Sequence, residues 1–83
     1  MDQLTEGILY ILKEFTGFTV ATGWRLSELD MDSMDFAELA VNIEGKYGFR
    51  LSQSEWNKVW AVPDNTVNDL IDTVRTAMKE QTT

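Results

Sequence analysis

The 83-residue sequence contains neither cysteine nor histidine. Their absence excludes disulfide frameworks, zinc sites built from thiolate or imidazole ligands, Cys–His catalysis and the Ser–His–Asp triad. A chain without cysteine also fits a reducing compartment. Residues 1–6 lack the basic start of a secretory signal, and no apolar run reaches the ~18 residues of a membrane span. We therefore expect a cytoplasmic protein that does not span a membrane and that lacks most common enzyme chemistry.

Positive charge is also scarce. Lys and Arg number 7 against 14 Asp and Glu, which gives a formal net charge of −7. Such a chain repels nucleic-acid phosphates and anionic lipid, so its partners are expected to be basic protein surfaces. Hydrophobic residues make up 43% of the chain and aromatic residues 11%, which is enough for a globular core. The length predicts a single domain over residues 1–83, and we expect a monomer.

Helical periodicity predicts the first two helices. The first contains apolar residues at spacings of three and four and ends at Gly17. The second runs from Ser33 to Tyr47, with Asp32 as its N-cap and Gly48 as the glycine that ends it. The apolar residues of the first helix are Leu4, Ile8, Ile11, Leu12 and Phe15.

Capping boxes mark the start of the third and fourth helices. Ser52 and Glu55 have the S-x-x-E spacing and open a helix of only two or three turns. Thr66 and Asp69 have the same spacing after Pro63, the single proline of the chain. The fourth helix has the clearest apolar face, formed by Val67, Leu70, Ile71, Val74, Ala77 and Met78.

Two segments lack helical signals. Residues 16–32 show neither helical nor strand period for long and are interpreted as a long loop held by scattered apolar side chains. The polar residues 79–83 are expected to fray. The fold class predicted is all-α: a small four-helix bundle with a long first loop and a short third helix.

The most informative residue is Ser33, which stands at a loop-to-helix junction among carboxylates. One interpretation is a calcium-binding loop that begins at Asp30. Such a loop needs an oxygen ligand at its fifth position, glycine at its sixth and glutamate at its twelfth. Those positions hold Met34, Asp35 and Val41, so the calcium interpretation is disfavoured.

A second interpretation is purely structural. Asp32 and Ser33 are residue types that ordinarily begin helices, and nearby carboxylates complement the helix dipole. Considered from Ser33 alone, this interpretation explains the junction.

A third interpretation is based on a longer match. Residues 32–39, DSMDFAEL, resemble the Asp-Ser-Leu motif of the acyl carrier protein family and the helix that follows it. The resemblance continues through the acidic residue and leucine at 28–29, through 43–44 and 47–49, and through 66–71 at the start of the last helix. It therefore covers most of the chain.

The resemblance implies that Ser33 is the attachment point of 4′-phosphopantetheine, which a phosphopantetheinyl transferase transfers from coenzyme A. The protein would then be a carrier and not an enzyme. It would hold acyl intermediates as thioesters for acyl-transferring and chain-modifying enzymes of fatty acid, polyketide or related specialised lipid biosynthesis. Two alternatives stay open: a carrier of amino acids or aryl acids, and an unmodified acidic helical adaptor that binds a basic protein surface.

The second helix has two apolar faces. Its larger face is expected to pack into the bundle and comprises Phe36, Leu39, Ala40, Ile43 and Tyr47. A smaller apolar stripe beside Ser33 is flanked by carboxylates and suits a partner with a basic rim. The resemblance makes this the recognition helix, and the expected partner-binding residues are Asp32, Met34, Asp35, Ala37, Glu38 and Val41.

The sequence departs from the family pattern at several positions. Gly45 and Lys46 stand where fatty-acid-synthesis members continue with glutamates, and Asp30 replaces a usual glycine. Residues 60–65 form an insertion between the third and fourth helices. These differences favour a specialised stand-alone carrier over one that serves general fatty acid synthesis.

The tryptophans of the third helix affect which acyl groups, the cargo of the carrier, the protein can hold. In the family an acyl chain can enter the space between the second and third helices. Trp56, Val59 and Trp60 either fill that space or line it, and filling is favoured. If they fill it, the cargo is expected to be short or to stay outside.

Overall fold

Four α-helices account for most of the molecule, whose computed structural model describes residues 2–81. The helices are α1 (Gln3–Thr16), α2 (Ser33–Tyr47), α3 (Gln53–Trp60) and α4 (Val67–Gln81). Residues 2–81 contain no β-strand, and their one isolated bridge joins Arg25 to Thr66. The all-α prediction, with a long first loop and a short third helix, is confirmed.

Local signals set the helix starts. The Asp2 side chain accepts a hydrogen bond from the N–H of Thr5 at 2.8 Å and caps α1. At α3, Ser52 caps the helix and Glu55 completes the predicted capping box. These bonds satisfy N–H groups that have no partner within the helix, so each helix begins where its cap stands.

Glycine ends the first two long helices. Gly17 and Gly48 adopt left-handed conformations, with φ of 83° and 70°. The N–H of Gly48 donates to the carbonyl of Glu44 at 2.8 Å, which closes the last turn of α2. A residue with a Cβ is disfavoured in this conformation, which explains why glycine stands at both positions.

The core lies where the four helices meet and is built from the predicted faces. Side chains of α1, α2 and α4 are fully buried in it, including Ile8, Leu39 and Leu70. Phe36 and Tyr47, which the sequence predicts as core, are only half-buried. The Phe36 ring stacks on Trp60 of α3, and the Tyr47 hydroxyl lies against Gly7 of α1.

The first connection is more ordered than the sequence indicates. It contains a short 3-10 helix over Leu26–Leu29, which the sequence pattern does not predict because four residues are too few to show a period. Backbone carbonyls that precede this 3-10 helix accept hydrogen bonds from the start of α4. The N–H of Val67 donates to the carbonyl of Trp24 at 2.9 Å, and the N–H of Asn68 donates to the carbonyl of Thr22 at 3.0 Å. The loop thereby links the start of α4 to the segment that precedes α2.

The end of α4 differs from the expectation of fraying. The helix continues to Gln81, whose side-chain oxygen accepts from the N–H of Arg50 at 2.9 Å and whose side-chain nitrogen donates to the Arg50 carbonyl at 2.6 Å. These bonds hold the last turn against the connection between α2 and α3. The remaining part of that expectation, Thr82 and Thr83, lies outside the described residues.

Candidate functional site

Ser33 is the first residue of α2 and is exposed. The capping box around it uses both neighbouring carboxylates. The N–H of Asp35 donates to Asp32 at 2.9 Å, and the N–H of Asp32 donates to Asp35 at 3.2 Å. The structural interpretation of this junction is therefore correct for the two aspartates, and it leaves the serine side chain outside the capping box.

The turn before Ser33 is made by Asp30, which has a left-handed backbone with φ of 56° and ψ of 42°. Left-handed conformations favour glycine, and Asp and Asn are the side chains that tolerate them best. This geometry gives a physical reason for the glycine that the acyl carrier family commonly has here. Asp30 keeps the turn that connects the 3-10 helix to α2.

A surface groove begins at Ser33 and runs between α2 and α3. Its volume is about 670 Å³. On α2, Ser33, Ala37 and Val41 lie four residues apart and form one wall, because this spacing places side chains on the same helix face. Gln53 and Asn57 of α3 line the other side. The serine therefore stands at one end of a groove with a small apolar wall.

Stacked aromatic rings form the floor of the groove. The ring of Trp60 stacks on Phe36 with centroids 4.7 Å apart and on Trp56 with centroids 5.1 Å apart. Trp56 also contacts Phe49, at 6.1 Å between centroids. Trp56 and Val59 are each only 5% exposed. Trp56 and the half-buried Trp60 both line the groove, so the filling of the space beside α2 by α3 stays a prediction.

Glu44 holds the far end of this aromatic stack. Its carboxylate accepts a hydrogen bond from the indole nitrogen of Trp56 at 3.1 Å and from the N–H of Leu51 at 2.9 Å. The sequence pattern does not predict this role of Glu44. The pattern contains no signal for it, because a carboxylate and an indole 12 residues apart meet only when two helices pack.

The structure places the predicted partner-binding residues on one accessible side of α2. Met34 is 72% exposed and Val41 67% exposed, and Ala37, Glu38 and Asp32 are exposed as well. Asp35 is half-buried. Ala37 and Val41 share the groove with Ser33, whereas Met34 lies outside its lining. The stripe is thus divided between the groove and the surface beside it.

Two other features are absent from the part of the chain that the structure describes. Residues 2–81 contain no group of three or more His, Cys, Asp or Glu side chains that could hold a metal ion. Within the same residues, no helix is long and apolar enough to cross a membrane.

Comparison with known proteins identifies the fold. No model of a known protein family matches the sequence. No curated protein matches it either. Among solved structures, the chain is similar to an acyl carrier protein from Thermotoga maritima, with a TM-score of 0.73 and 28% sequence identity over 94% of this chain and 89% of that chain. The chain therefore has the fold of an acyl carrier protein.

Proposed function

We propose that this protein is an acyl carrier that bears 4′-phosphopantetheine on Ser33. The observation that carries the proposal is the exposed serine at the first residue of α2, at the position of the Asp-Ser motif in a fold shared with an acyl carrier protein. The protein would work in the cytoplasm, in fatty acid, polyketide or related specialised lipid biosynthesis. Its role would be non-catalytic.

The residues around Ser33 fit such a group. Ala37 and Ala40 on α2 and Ala61 after α3 all line the groove, so small side chains leave room beside the serine. The carboxylates of Asp32 and Asp35 are held in the capping box. A phosphate on the Ser33 oxygen would meet these two negative charges, which disfavour its folding back over the helix end.

The chemistry of attachment requires only the serine hydroxyl from this chain. Its oxygen would form a bond to the phosphorus next to the pantetheine part of coenzyme A, with loss of the hydroxyl proton and release of the nucleotide part. Phosphopantetheine supplies a thiol on a flexible arm, which this cysteine-free chain lacks, and the thiol holds the acyl group. Asp32 and Asp35 position the hydroxyl by fixing the start of α2.

The exposed side of α2 is the proposed docking surface for the transferase and for acyl-transferring and chain-modifying enzymes. Met34 and Val41 offer apolar contacts, and Glu38 beside them offers a negative charge. A partner with a basic rim around a shallow apolar patch is complementary to this arrangement. The net charge of −7 adds long-range attraction to the same partner.

The test is to incubate the protein with coenzyme A and a broad-specificity phosphopantetheinyl transferase and to measure the intact mass. We expect a mass gain of one phosphopantetheine for the natural chain and none for Ser33→Ala. Ser27→Ala is the matched control, because Ser27 is also exposed but lies in the 3-10 helix. No gain in the natural chain would instead favour the unmodified acidic adaptor.

A further inference from the structure

Aromatic rings pack between α2 and α3 and line the groove. Trp60 has a ring stacked on each side, Phe36 at 4.7 Å and Trp56 at 5.1 Å between centroids. Val59 and Trp56 are 5% exposed and pack against the core. A chain attached near Ser33 would have to displace this stack to reach the interior. Because close-packed interiors lack room for additional groups, displacement must move whole rings.

Glu44 also holds the Trp56 end of the stack in place. The Trp56 indole donates to Glu44 at 3.1 Å, and its ring contacts Phe49 at 6.1 Å between centroids. Moving Trp56 aside would break this hydrogen bond and leave the Glu44 carboxylate with only the N–H of Leu51. Opening the interface therefore costs packing and hydrogen bonding together.

Outside the stack, the groove of about 670 Å³ leads away from Ser33 along α2. Ser33 and Glu44 both line it and lie 11 residues apart, which corresponds to roughly 16 Å along a helix. The groove is an open surface feature, so a group that lies in it keeps one side in water. The part of an acyl chain that stays in water contributes no free energy of burial, and the forgone stabilisation grows with each methylene.

We propose, on the basis of the carrier function above, that the acyl group lies in this open groove and is not enclosed by the helices. The aromatic stack of Phe36, Trp56 and Trp60 is the structural reason. The cargo class that suits such a carrier is the short acyl group, whose small apolar surface tolerates contact with water. Long alkyl chains would remain exposed on this protein.

The test is to load the natural chain with acetyl, hexanoyl or dodecanoyl phosphopantetheine from the corresponding acyl coenzyme A. Amide chemical shifts of each form are then compared with those of the thiol form. We expect changes at the groove residues Ala37, Val41 and Asn57 and none at the buried residues Ile43 and Val59. The rate of thioester cleavage by hydroxylamine should agree within about twofold among the three forms, since none is shielded.

The inference is overturned if the amide chemical shifts of Ile43 and Val59 change in the dodecanoyl form and its thioester is cleaved at least fivefold more slowly than that of the acetyl form. These results leave the carrier function intact. A chain that gains no mass in the loading step overturns both. The intact mass therefore distinguishes the failure of one proposal from the failure of the other.

Two tryptophan variants test whether the aromatic stack is what keeps the acyl chain out of the interior. Trp60→Ala and Trp56→Ala each remove a ring from the stack, and we expect their dodecanoyl forms to show interior shifts and slower thioester cleavage. Tyr10→Ala is the control, because Tyr10 is exposed on α1 and does not line the groove. If the tryptophan variants fold and still leave the long chain exposed, the stack is not what excludes it, and the inference is wrong. The spectra of the natural chain decide the question even if a variant does not fold.

Discussion

Asp32 and Asp35 each accept a hydrogen bond from the backbone N–H of the other, on either side of Ser33. The two bonds, at 3.2 and 2.9 Å, begin α2 at the serine and hold both carboxylates in place. The residue proposed to be modified is therefore fixed by its immediate neighbours. Its exposure follows from its being the first residue of a helix whose buried face begins further along.

Replacement of Asp32 by alanine should lower the free energy of unfolding by about 1 kcal/mol, because the N–H of Asp35 loses its acceptor. Urea unfolding followed by circular dichroism measures the change. Asp32→Asn is the control, since its side chain keeps an acceptor oxygen and loses the charge. Equal destabilisation by both variants would show that the charge matters and the acceptor does not.

Replacement of Asp30 by glycine should raise stability by up to about 1 kcal/mol, because the left-handed backbone at φ 56° costs glycine nothing sterically. Asp30→Ala should lower stability, since alanine can neither relieve the strain nor form a local hydrogen bond. Thermal melts of the three proteins should give the order glycine, aspartate, alanine. Any other order contradicts the conformational explanation.

Replacement of Glu44 by alanine should lower the free energy of unfolding by about 2 kcal/mol, because two N–H groups, one of Trp56 and one of Leu51, lose their acceptor. Trp56→Phe keeps a ring and removes the indole donor. In that background Glu44→Ala should cost less, and a double-mutant cycle by urea unfolding measures the coupling. Additive effects would show that the bond contributes nothing to stability.

Gly7 on α1 leaves room for the side chain of Tyr47 on α2. A Cβ built at this position overlaps the hydroxyl oxygen of Tyr47, whereas one at Gly45 meets nothing within 4 Å. Gly45→Ala should therefore raise stability by about 0.5–1 kcal/mol through helix propensity. Gly7→Ala should lower it by about 1 kcal/mol despite the same propensity gain.

The pair Gly7→Ala and Tyr47→Phe tests that explanation. Removing the hydroxyl should recover most of the loss from Gly7→Ala, as measured by thermal unfolding. If Gly7→Ala is as stable as Gly45→Ala in the natural background, the Tyr47 hydroxyl does not restrict the side chain at position 7.

The lowered pKa of Asp2 makes the stability of the fold depend on pH. Its hydrogen bond and ion pair with Arg75 at 2.7 Å, and its hydrogen bonds from Thr5, hold the pKa of Asp2 well below the usual value of about 3.9. A carboxyl group whose pKa is lower in the folded state stabilises the fold above its unfolded pKa. That contribution is lost as the pH falls below about 4.

We therefore expect Asp2→Asn to melt at a lower temperature than the natural chain at pH 7, with a difference that shrinks toward pH 2. The ends of the pair are about half exposed, so 1 M salt should also reduce the difference. Arg75→Gln should show the same trend. A difference that is constant between pH 7 and pH 2 would contradict the role of the Asp2 charge.

Local sequence determined the helices. The boundaries of α2 follow from Asp32 and Gly48, and the start of α3 follows from Ser52 and Glu55. These signals act within one turn of the chain, through capping bonds and backbone conformation, so a linear pattern is sufficient to predict them. The exposed position of Ser33 belongs to the same class, because it depends on where a capped helix begins.

Only the tertiary structure decided what surrounds the serine. The stacking of Trp60 on Phe36, the bond from Trp56 to Glu44 and the contact of Gly7 with Tyr47 each join residues on two different helices. Such contacts depend on how far apart two helices lie and how they are rotated. Periodicity tells which face of a helix is apolar, but the partner that covers each ring is set by packing all four helices at once.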